Sequence, residues 1–138
     1  MTNLQEVTQP ALWWENGKWK EEPAFQTKKT FLLPGLGPSQ LTRLYHEELE
    51  TLVERITGLE RAQFWMGLSK DYIRHVEVLS ETGLLSMEPV DHEGIPIVPL
   101  EFLGKTLPDP AALGSGYTGK THIGCLARGL VDGQRETR

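Results

Sequence analysis

The sequence predicts an α+β domain with a mixed or antiparallel sheet and with its helices on one face of that sheet. Strand and helix signals follow the order β, β, α, β, α, β, β, α, β along the chain, which is typical of this class. The length of 138 residues suits one domain, and no internal repeat or long linker divides the chain. We therefore treat residues 1–138 as a single domain.

Composition and charge exclude several classes of protein. Hydrophobic residues make up 38% of the chain and charged residues 24%, as in a globular domain rather than a disordered one. The 14 basic and 19 acidic residues give a net charge of −5, without the basic stripe of a nucleic-acid-binding domain. No apolar stretch approaches the roughly 20 residues that cross a bilayer. We therefore expect neither a nucleic acid nor a membrane as a partner.

The N-terminus and the cysteine content indicate the compartment. Residues 1–7 have neither the basic nor the apolar region of a secretory signal. The single cysteine, Cys125, cannot form an intramolecular disulfide, and in an apolar stretch we expect a small buried side chain rather than a nucleophile. A reduced, cytoplasmic location fits both observations.

The first structural signal after a polar arm of ten residues is a β-hairpin at residues 12–20. Asn16-Gly17 flanked by aromatic residues predicts a two-residue turn, and this register places Trp14 opposite Trp19. The two rings can form a cross-strand pair that stabilises the hairpin, or the tryptophans can form a platform on which a ligand stacks.

Two helices are predicted in the middle of the chain, between short strands. The first helix has apolar residues at the spacing of one buried face and ends at Gly58; these residues are Leu49, Leu52, Val53 and Ile56. The second helix begins after Ser69, a favourable N-cap, and ends at Gly83. Its predicted buried residues are Tyr72, Ile73, Val76 and Leu79. The strands are predicted at residues 28–33, 41–45, 62–68 and 84–88.

The C-terminal part of the sequence predicts two further hairpins around a short helix. One hairpin turns at Glu93-Gly94, the helix runs from Pro99 to about Leu103, and residues 104–119 form a loop rich in Gly and Pro. Residues 121–131 look extended, and Asp132-Gly133 predicts the second hairpin turn. The second strand of this hairpin barely begins before Arg138, which indicates a truncated domain.

One motif matches a nucleotide-binding pattern without its structural context. Gly114–Thr121 fits G-x-x-x-x-G-K-T, but the phosphate loop needs a strand before it and a helix after it. Residues 107–111 contain two prolines, and residues 122–129 contain two glycines in an extended pattern. We interpret the segment as a glycine-rich turn that directs Lys120, Thr121 and backbone amides toward an anionic group, such as a carboxylate.

The other candidate residues carry weaker signals. His46, Glu47 and Glu48 lie at a strand-to-helix junction, where binding residues are often presented, although a solvated helix start explains them equally well. His75 and His92 are expected on the surface. No carboxylate or cysteine stands at metal-ligand spacing to His122, so the sequence predicts no metal site.

Four ordered segments resemble the saccharopine dehydrogenase family, in its carboxynorspermidine dehydrogenase-like branch. They are residues 64–83, 97–103, 107–110 and 119–133. The similarity runs from about Asn3 to the end of the chain. The resemblance implies the second domain of such an enzyme, an α+β domain that binds substrate and mediates dimerisation. By the same resemblance, we expect this chain to lack the family's N-terminal Rossmann domain and the end of the second domain.

The resemblance also implies a chemistry. Full-length relatives reduce an imine, formed between an amino-acid semialdehyde and an amine, with hydride from NAD(P)H, in polyamine or lysine metabolism. The chain alone is then expected to bind no cofactor and to be inactive, and the full-length enzyme to be a homodimer with a small amino-acid or polyamine substrate. Such a substrate needs cationic and amide donors for its carboxylates and acidic groups for its amines.

The substrate-binding residues expected from this resemblance are Tyr45, His46, Glu47, Lys120 and Thr121. The sequence assigns no proton donor and no other catalytic residue. A free-standing, non-catalytic binding or dimerisation module with the same fold is the alternative.

Overall fold

The computed structural model describes residues 2–108 and 121–138. Its helices are α1 (Thr2–Thr8), α2 (Glu48–Arg55), α3 (Lys70–Glu81) and α4 (Pro99–Thr106). Its first six strands are β1 (Ala11–Glu15), β2 (Lys18–Glu22), β3 (Lys28–Leu33), β4 (Gly37–Leu44), β5 (Arg61–Ala62) and β6 (Phe64–Met66). The last four are β7 (Val90–His92), β8 (Ile95–Ile97), β9 (Arg128–Val131) and β10 (Gln134–Thr137).

The α+β class is confirmed, and every strand pair in the described residues is antiparallel. The strands form two three-stranded sheets, in the orders β2-β1-β5 and β3-β4-β6, and two separate hairpins, β7-β8 and β9-β10. The predicted strand at 62–68 contributes to both three-stranded sheets, because β5 pairs with β1 and β6 pairs with β4. This crossing of the chain holds the two sheets next to each other.

The predicted hairpin at residues 12–20 is confirmed. Asn16 and Gly17 have φ values of 53° and 78°, and Trp14 lies opposite Trp19 with the ring centroids 5.5 Å apart. The Trp14 indole donates a hydrogen bond of 2.8 Å to the carbonyl of Leu59, which ties the hairpin to the segment before β5. The rings therefore form the cross-strand pair.

The core joins α1, β4 and α3. Its buried centre consists of Val7, Leu44 and Val76, each at most 4% exposed. The polar arm predicted for the first ten residues is wrong, because Leu4 and Val7 share a helical face and that face packs against this core.

The second predicted helix, α3, is confirmed together with its N-cap. The Ser69 hydroxyl accepts a hydrogen bond of 3.0 Å from the Tyr72 N–H. The helix ends as predicted at Gly83, where the Leu84 N–H donates to the carbonyl of Leu79 in a Schellman arrangement. Because these bonds hold the chain in turns, the strand predicted at 84–88 is wrong.

The buried face predicted for α2 is only partly confirmed. Leu49 is buried and Val53 is half-buried, whereas Leu52 and Ile56 are 42% and 45% exposed. The helix ends at Arg55, just before the predicted stop, since Ile56 is already extended and Gly58 has a φ of 78°.

The C-terminal elements differ from the prediction mainly in length. The turn at Glu93-Gly94 and the helix start at Pro99 are confirmed, and α4 continues to Thr106, three residues into the predicted loop. Only residues 128–131 of the predicted extended segment form a strand. The prediction that the last strand barely begins is wrong, because β10 pairs along the whole of β9. Cys125 is exposed, contrary to the buried side chain expected from its neighbours.

Candidate functional site

The candidate site is the junction between β4 and α2. Tyr45 and His46 directly follow β4 and are half-buried, and Glu47 is exposed at the N-cap of α2. Because the chain turns here from a central strand into a helix, three consecutive polar side chains lie at one end of the β3-β4-β6 sheet. The structure therefore places these three predicted residues together.

Tyr45 and Glu50 form a hydrogen-bonded pair at this junction. The phenol donates to the Oε1 atom of Glu50 over 2.7 Å. This bond raises the pKa of Tyr45, and burial together with the charges of Glu50, Glu47 and Glu6 raises it further. Tyr45 is thereby kept as a neutral hydrogen-bond donor that fixes the orientation of the Glu50 carboxylate.

His46 is held by an aromatic contact. Its ring stacks on Phe64 of β6 with the centroids 4.3 Å apart, and its side chain is 27% exposed. The Nδ1 atom lies 3.5 Å from the Glu48 N–H and 3.7 Å from the Glu48 carboxylate. One face of the imidazole is therefore covered by Phe64, and a carboxylate stands near its Nδ1 edge.

The remaining predicted site residues lie in another part of the chain. Thr121 is exposed, and no hydrogen bond, ion pair or ring contact among the described residues joins it to the junction. Lys120 and the rest of the glycine-rich motif before Thr121 lie outside the described residues. Residues 121–138 contain no helix, which supports the view that the motif is not a phosphate loop.

A second polar cluster, which no sequence pattern predicted, is centred on Arg43. Its guanidinium lies 3.6 Å from the ring centroid of Trp13 and donates two hydrogen bonds, of 3.0 and 2.6 Å, to the Glu22 carboxylate. Glu22 also accepts a hydrogen bond from the Thr27 hydroxyl. Arg43 belongs to one three-stranded sheet and Trp13 and Glu22 to the other, so the cluster joins the two sheets.

The charged groups of this second cluster are paired with one another. The charged side chains of Arg43 and Glu22 are each 11% exposed, and no buried polar side-chain atom among the described residues lacks a partner. Twenty-one positions separate the two residues in sequence, and no local pattern connects them. Arg43 covers one face of the Trp13 ring.

Metal and membrane features are absent from the part of the chain that the structure describes. No group of three or more potential metal-ligating side chains converges within residues 2–108 and 121–138. Across the same residues, no helix combines the length and the apolar character that a bilayer crossing requires.

The fold and the junction together define an α+β domain that presents polar side chains where a central strand meets a helix. A family model described as the saccharopine dehydrogenase C-terminal domain matches residues 1–130. The chain belongs to this family, and the resemblance found in the sequence is confirmed.

Individual relatives show the same similarity over nearly the whole chain. This chain is 42% identical over 135 residues to a carboxyaminopropylagmatine dehydrogenase from Synechocystis sp., and the match covers 98% of this chain and 34% of that protein. It is 36% identical over 137 residues to a carboxynorspermidine synthase from Vibrio alginolyticus, covering 99% of this chain and 33% of that protein. A carboxynorspermidine synthase from Vibrio cholerae is also 36% identical, over 134 residues. The chain thus spans about a third of the length of the curated relatives that it matches.

Proposed function

We propose that this chain is the substrate-binding and dimerisation domain of an NAD(P)H-dependent oxidoreductase. The enzyme would reduce an imine formed between an amino-acid semialdehyde and an amine, in polyamine metabolism. The observation that carries the proposal is the 42% identity, over 98% of the chain, to a protein named carboxyaminopropylagmatine dehydrogenase. The two carboxynorspermidine synthases point to the same class of product, an amine that bears a carboxylate.

The junction suits the amine part of such a substrate. Glu47, Glu48 and Glu50 supply carboxylates for an ammonium group, and Tyr45 holds one of them in place. His46 offers an imidazole edge beside them. Thr121 and Lys120 would serve the carboxylate end of the substrate, because a hydroxyl and an ammonium donate hydrogen bonds to an anion.

The N-termini of α2 and α3 do not suit the pyrophosphate of a dinucleotide. Pyrophosphate binds at a helix N-terminus whose amides are free and whose surroundings carry no negative charge. The first turn of α2 contains Glu48 and Glu50, and the N-terminus of α3 is capped by Ser69 and followed by Asp71. We therefore propose that the hydride donor binds in another part of the full-length enzyme and that this domain binds and orients the substrate.

A chimera tests this function with the chain as it stands. The chain replaces the matching third of the Vibrio cholerae carboxynorspermidine synthase, and the formation of carboxynorspermidine is measured with NADH and with NADPH. We expect measurable turnover with one of them, and none from the isolated chain. A folded chimera without activity, verified by circular dichroism, would favour the non-catalytic module.

Lys120 is tested in the same chimera. Lys120→Ala should raise KM for the carboxylate-bearing substrate by about tenfold, the effect of losing one charge-assisted hydrogen bond, with KM for the cofactor unchanged. Lys105→Ala, which removes an exposed lysine near the end of α4, is the matched control. Equal KM values for the two variants would show that Lys120 does not bind the substrate carboxylate.

We also propose that the chain forms a homodimer. Several apolar side chains in the last 18 residues are exposed to solvent in the described part of the chain. They include Leu130, which is 71% exposed, Leu126 at 61% and Ile123 at 92%. Sedimentation equilibrium of the chain should show a dimer, and Leu130→Asp should shift the equilibrium toward monomer. A monomeric wild-type chain at high protein concentration would contradict this proposal.

A further inference from the structure

The side chain of Phe64 connects the core of the domain to the candidate site. Phe64 belongs to β6 and lies opposite Leu44 of β4 in the antiparallel register. It packs against the buried core cluster, and its ring stacks on the imidazole of His46 with 27° between the ring planes. One aromatic side chain therefore touches both the buried core and a predicted substrate-binding residue.

The other contacts of the His46 ring restrain it less. The hydrogen bond from the Glu48 N–H to Nδ1 is 3.5 Å long, which is at the upper limit for such a bond. The Glu48 carboxylate lies 3.7 Å from the same atom, but this side chain is 78% exposed, so water competes with the imidazole for it. The stack on Phe64 is therefore the main restraint on the orientation of the ring.

This arrangement also determines which nitrogen of His46 is left for a ligand. Nδ1 accepts a hydrogen bond from a backbone N–H, so in the neutral ring the proton lies on Nε2. Both the hydrogen bond and the ion-pair contact of this side chain within the described residues involve Nδ1. Nε2 thus offers one N–H donor, and the plane of the ring sets the direction of that donor.

We propose that Phe64 is a positioning residue for substrate binding. It holds the imidazole of His46 in one plane, so that the Nε2–H donates a hydrogen bond to an acceptor atom of the bound substrate. A side chain that is already ordered before binding loses less conformational freedom when the ligand arrives. The proposal rests on the proposed function, because it needs His46 to contact the substrate.

The test uses the chimera with the Vibrio cholerae synthase and compares two phenylalanines of one sheet. Phe31 of β3 is half-buried, as Phe64 is, but its ring contacts Trp65 instead of His46. Phe64→Leu should raise KM for the organic substrates by about fivefold and leave kcat unchanged, because it removes binding that ground state and transition state share. Phe31→Leu should change KM by less than about twofold, and Phe64→Tyr, which keeps the ring, should retain the wild-type KM.

A double-variant cycle separates positioning from a general effect on the fold. Because Phe64 acts through His46 in this proposal, Phe64→Leu should change KM by less than about 1.5-fold in a chimera that already carries His46→Ala. Equal increases with and without the imidazole would overturn the proposal, and so would equal KM values for Phe64→Leu and Phe31→Leu. If Phe64→Leu does not fold, Phe64→Met takes its place, since methionine fills an apolar gap without a ring.

NMR of the 138-residue chain distinguishes this proposal from the proposed function. The ring-proton signals of His46, assigned with a His46→Gln variant, should lie upfield in the wild type, because the imidazole faces the shielding ring current of Phe64. They should move downfield in Phe64→Leu, and unchanged signals would overturn the positioning role. A folded but inactive chimera, with this shift present in the chain, overturns only the proposed function. An active chimera in which Phe64→Leu behaves as Phe31→Leu overturns only the role of Phe64.

Discussion

The molecule can be divided into an N-terminal region, residues 2–82, and a C-terminal region, residues 84–108 and 121–138. Both regions contain the same type of two-residue hairpin turn, but they differ in how far other elements cover the hairpins. Asn16-Gly17, Glu93-Gly94 and Asp132-Gly133 all have two positive φ values and each closes a two-residue hairpin. The first hairpin gains a third strand, β5, whereas the other two pair only with themselves among the described residues.

The presence or absence of a third strand goes together with how many apolar side chains each region buries. Among the described residues, six of the seven buried hydrophobic side chains belong to the N-terminal region, and Leu100 in α4 is the exception. In the C-terminal hairpins, Val90, Ile95 and Leu130 are 52%, 62% and 71% exposed. A two-stranded hairpin has too little surface to bury its own side chains, so a turn signal alone does not create a core.

The largest expected effect comes from replacing one leucine by alanine in each region. Leu44→Ala should lower the free energy of unfolding by about 3 kcal/mol, because Leu44 is 1% exposed and its removal leaves a cavity. Leu130→Ala should change it by less than about 0.5 kcal/mol in the monomer. Urea denaturation at low protein concentration measures both. Similar losses would mean that Leu130 is buried in solution.

The next test breaks the contact between the two three-stranded sheets. Arg43→Met leaves the Glu22 carboxylate buried without its partner and should cost about 2 kcal/mol, less than for a fully buried pair because both side chains are 11% exposed. Adding Glu22→Leu should recover most of this loss, since an apolar pair replaces the ionic one. A double variant no more stable than Arg43→Met would mean that the ring contact with Trp13, rather than the charge pair, stabilises the sheets.

A smaller effect concerns the start of α3, which has a side-chain cap, in contrast to α4. Ser69→Ala should lower the free energy of unfolding by about 1 kcal/mol, because the Tyr72 N–H loses its acceptor. Ser69→Asn should restore it. Ser80→Ala, an exposed change on the same helix, serves as the control and should not destabilise the protein.

The smallest effect is on the pH dependence of stability. Burial raises the pKa of Glu22, but the hydrogen bonds from Arg43 and Thr27 together outweigh it and hold the pKa below its usual value. A carboxyl with a lowered pKa stabilises the fold above the pKa of the unfolded chain, and this contribution is lost as the pH falls through the folded-state pKa.

The wild-type chain should therefore lose stability more steeply than Glu22→Gln between about pH 5 and pH 3. Glu21→Gln, which changes an exposed residue of the same strand, is the control for the loss of one charge. Thermal melts over this pH range measure the slope. Parallel slopes for the wild type and Glu22→Gln would mean that the ion pair does not persist in solution.

The sequence was sufficient for the part of the candidate site that is continuous in the chain. His46 and Glu47 were predicted at a strand-to-helix junction and Tyr45 was named with them through the family resemblance; the structure places all three at that junction. The contribution of Glu50 was missed, because no pattern in the sequence links this residue to Tyr45. Its hydrogen bond to Tyr45 and its place beside Trp19 depend on how α2 packs against the hairpin.

By itself, the sequence determined the features that a few neighbouring residues decide. Positive φ at Asn16-Gly17, Glu93-Gly94 and Asp132-Gly133 and the cap at Ser69 follow from sterics and hydrogen bonds within about four residues. Only the tertiary structure decided the division of residues 61–66 between two sheets and the pairing of Arg43 with Glu22. These contacts join residues that are 20 or more positions apart, and their free energy depends on loop closure and on which surfaces meet, which no local pattern encodes.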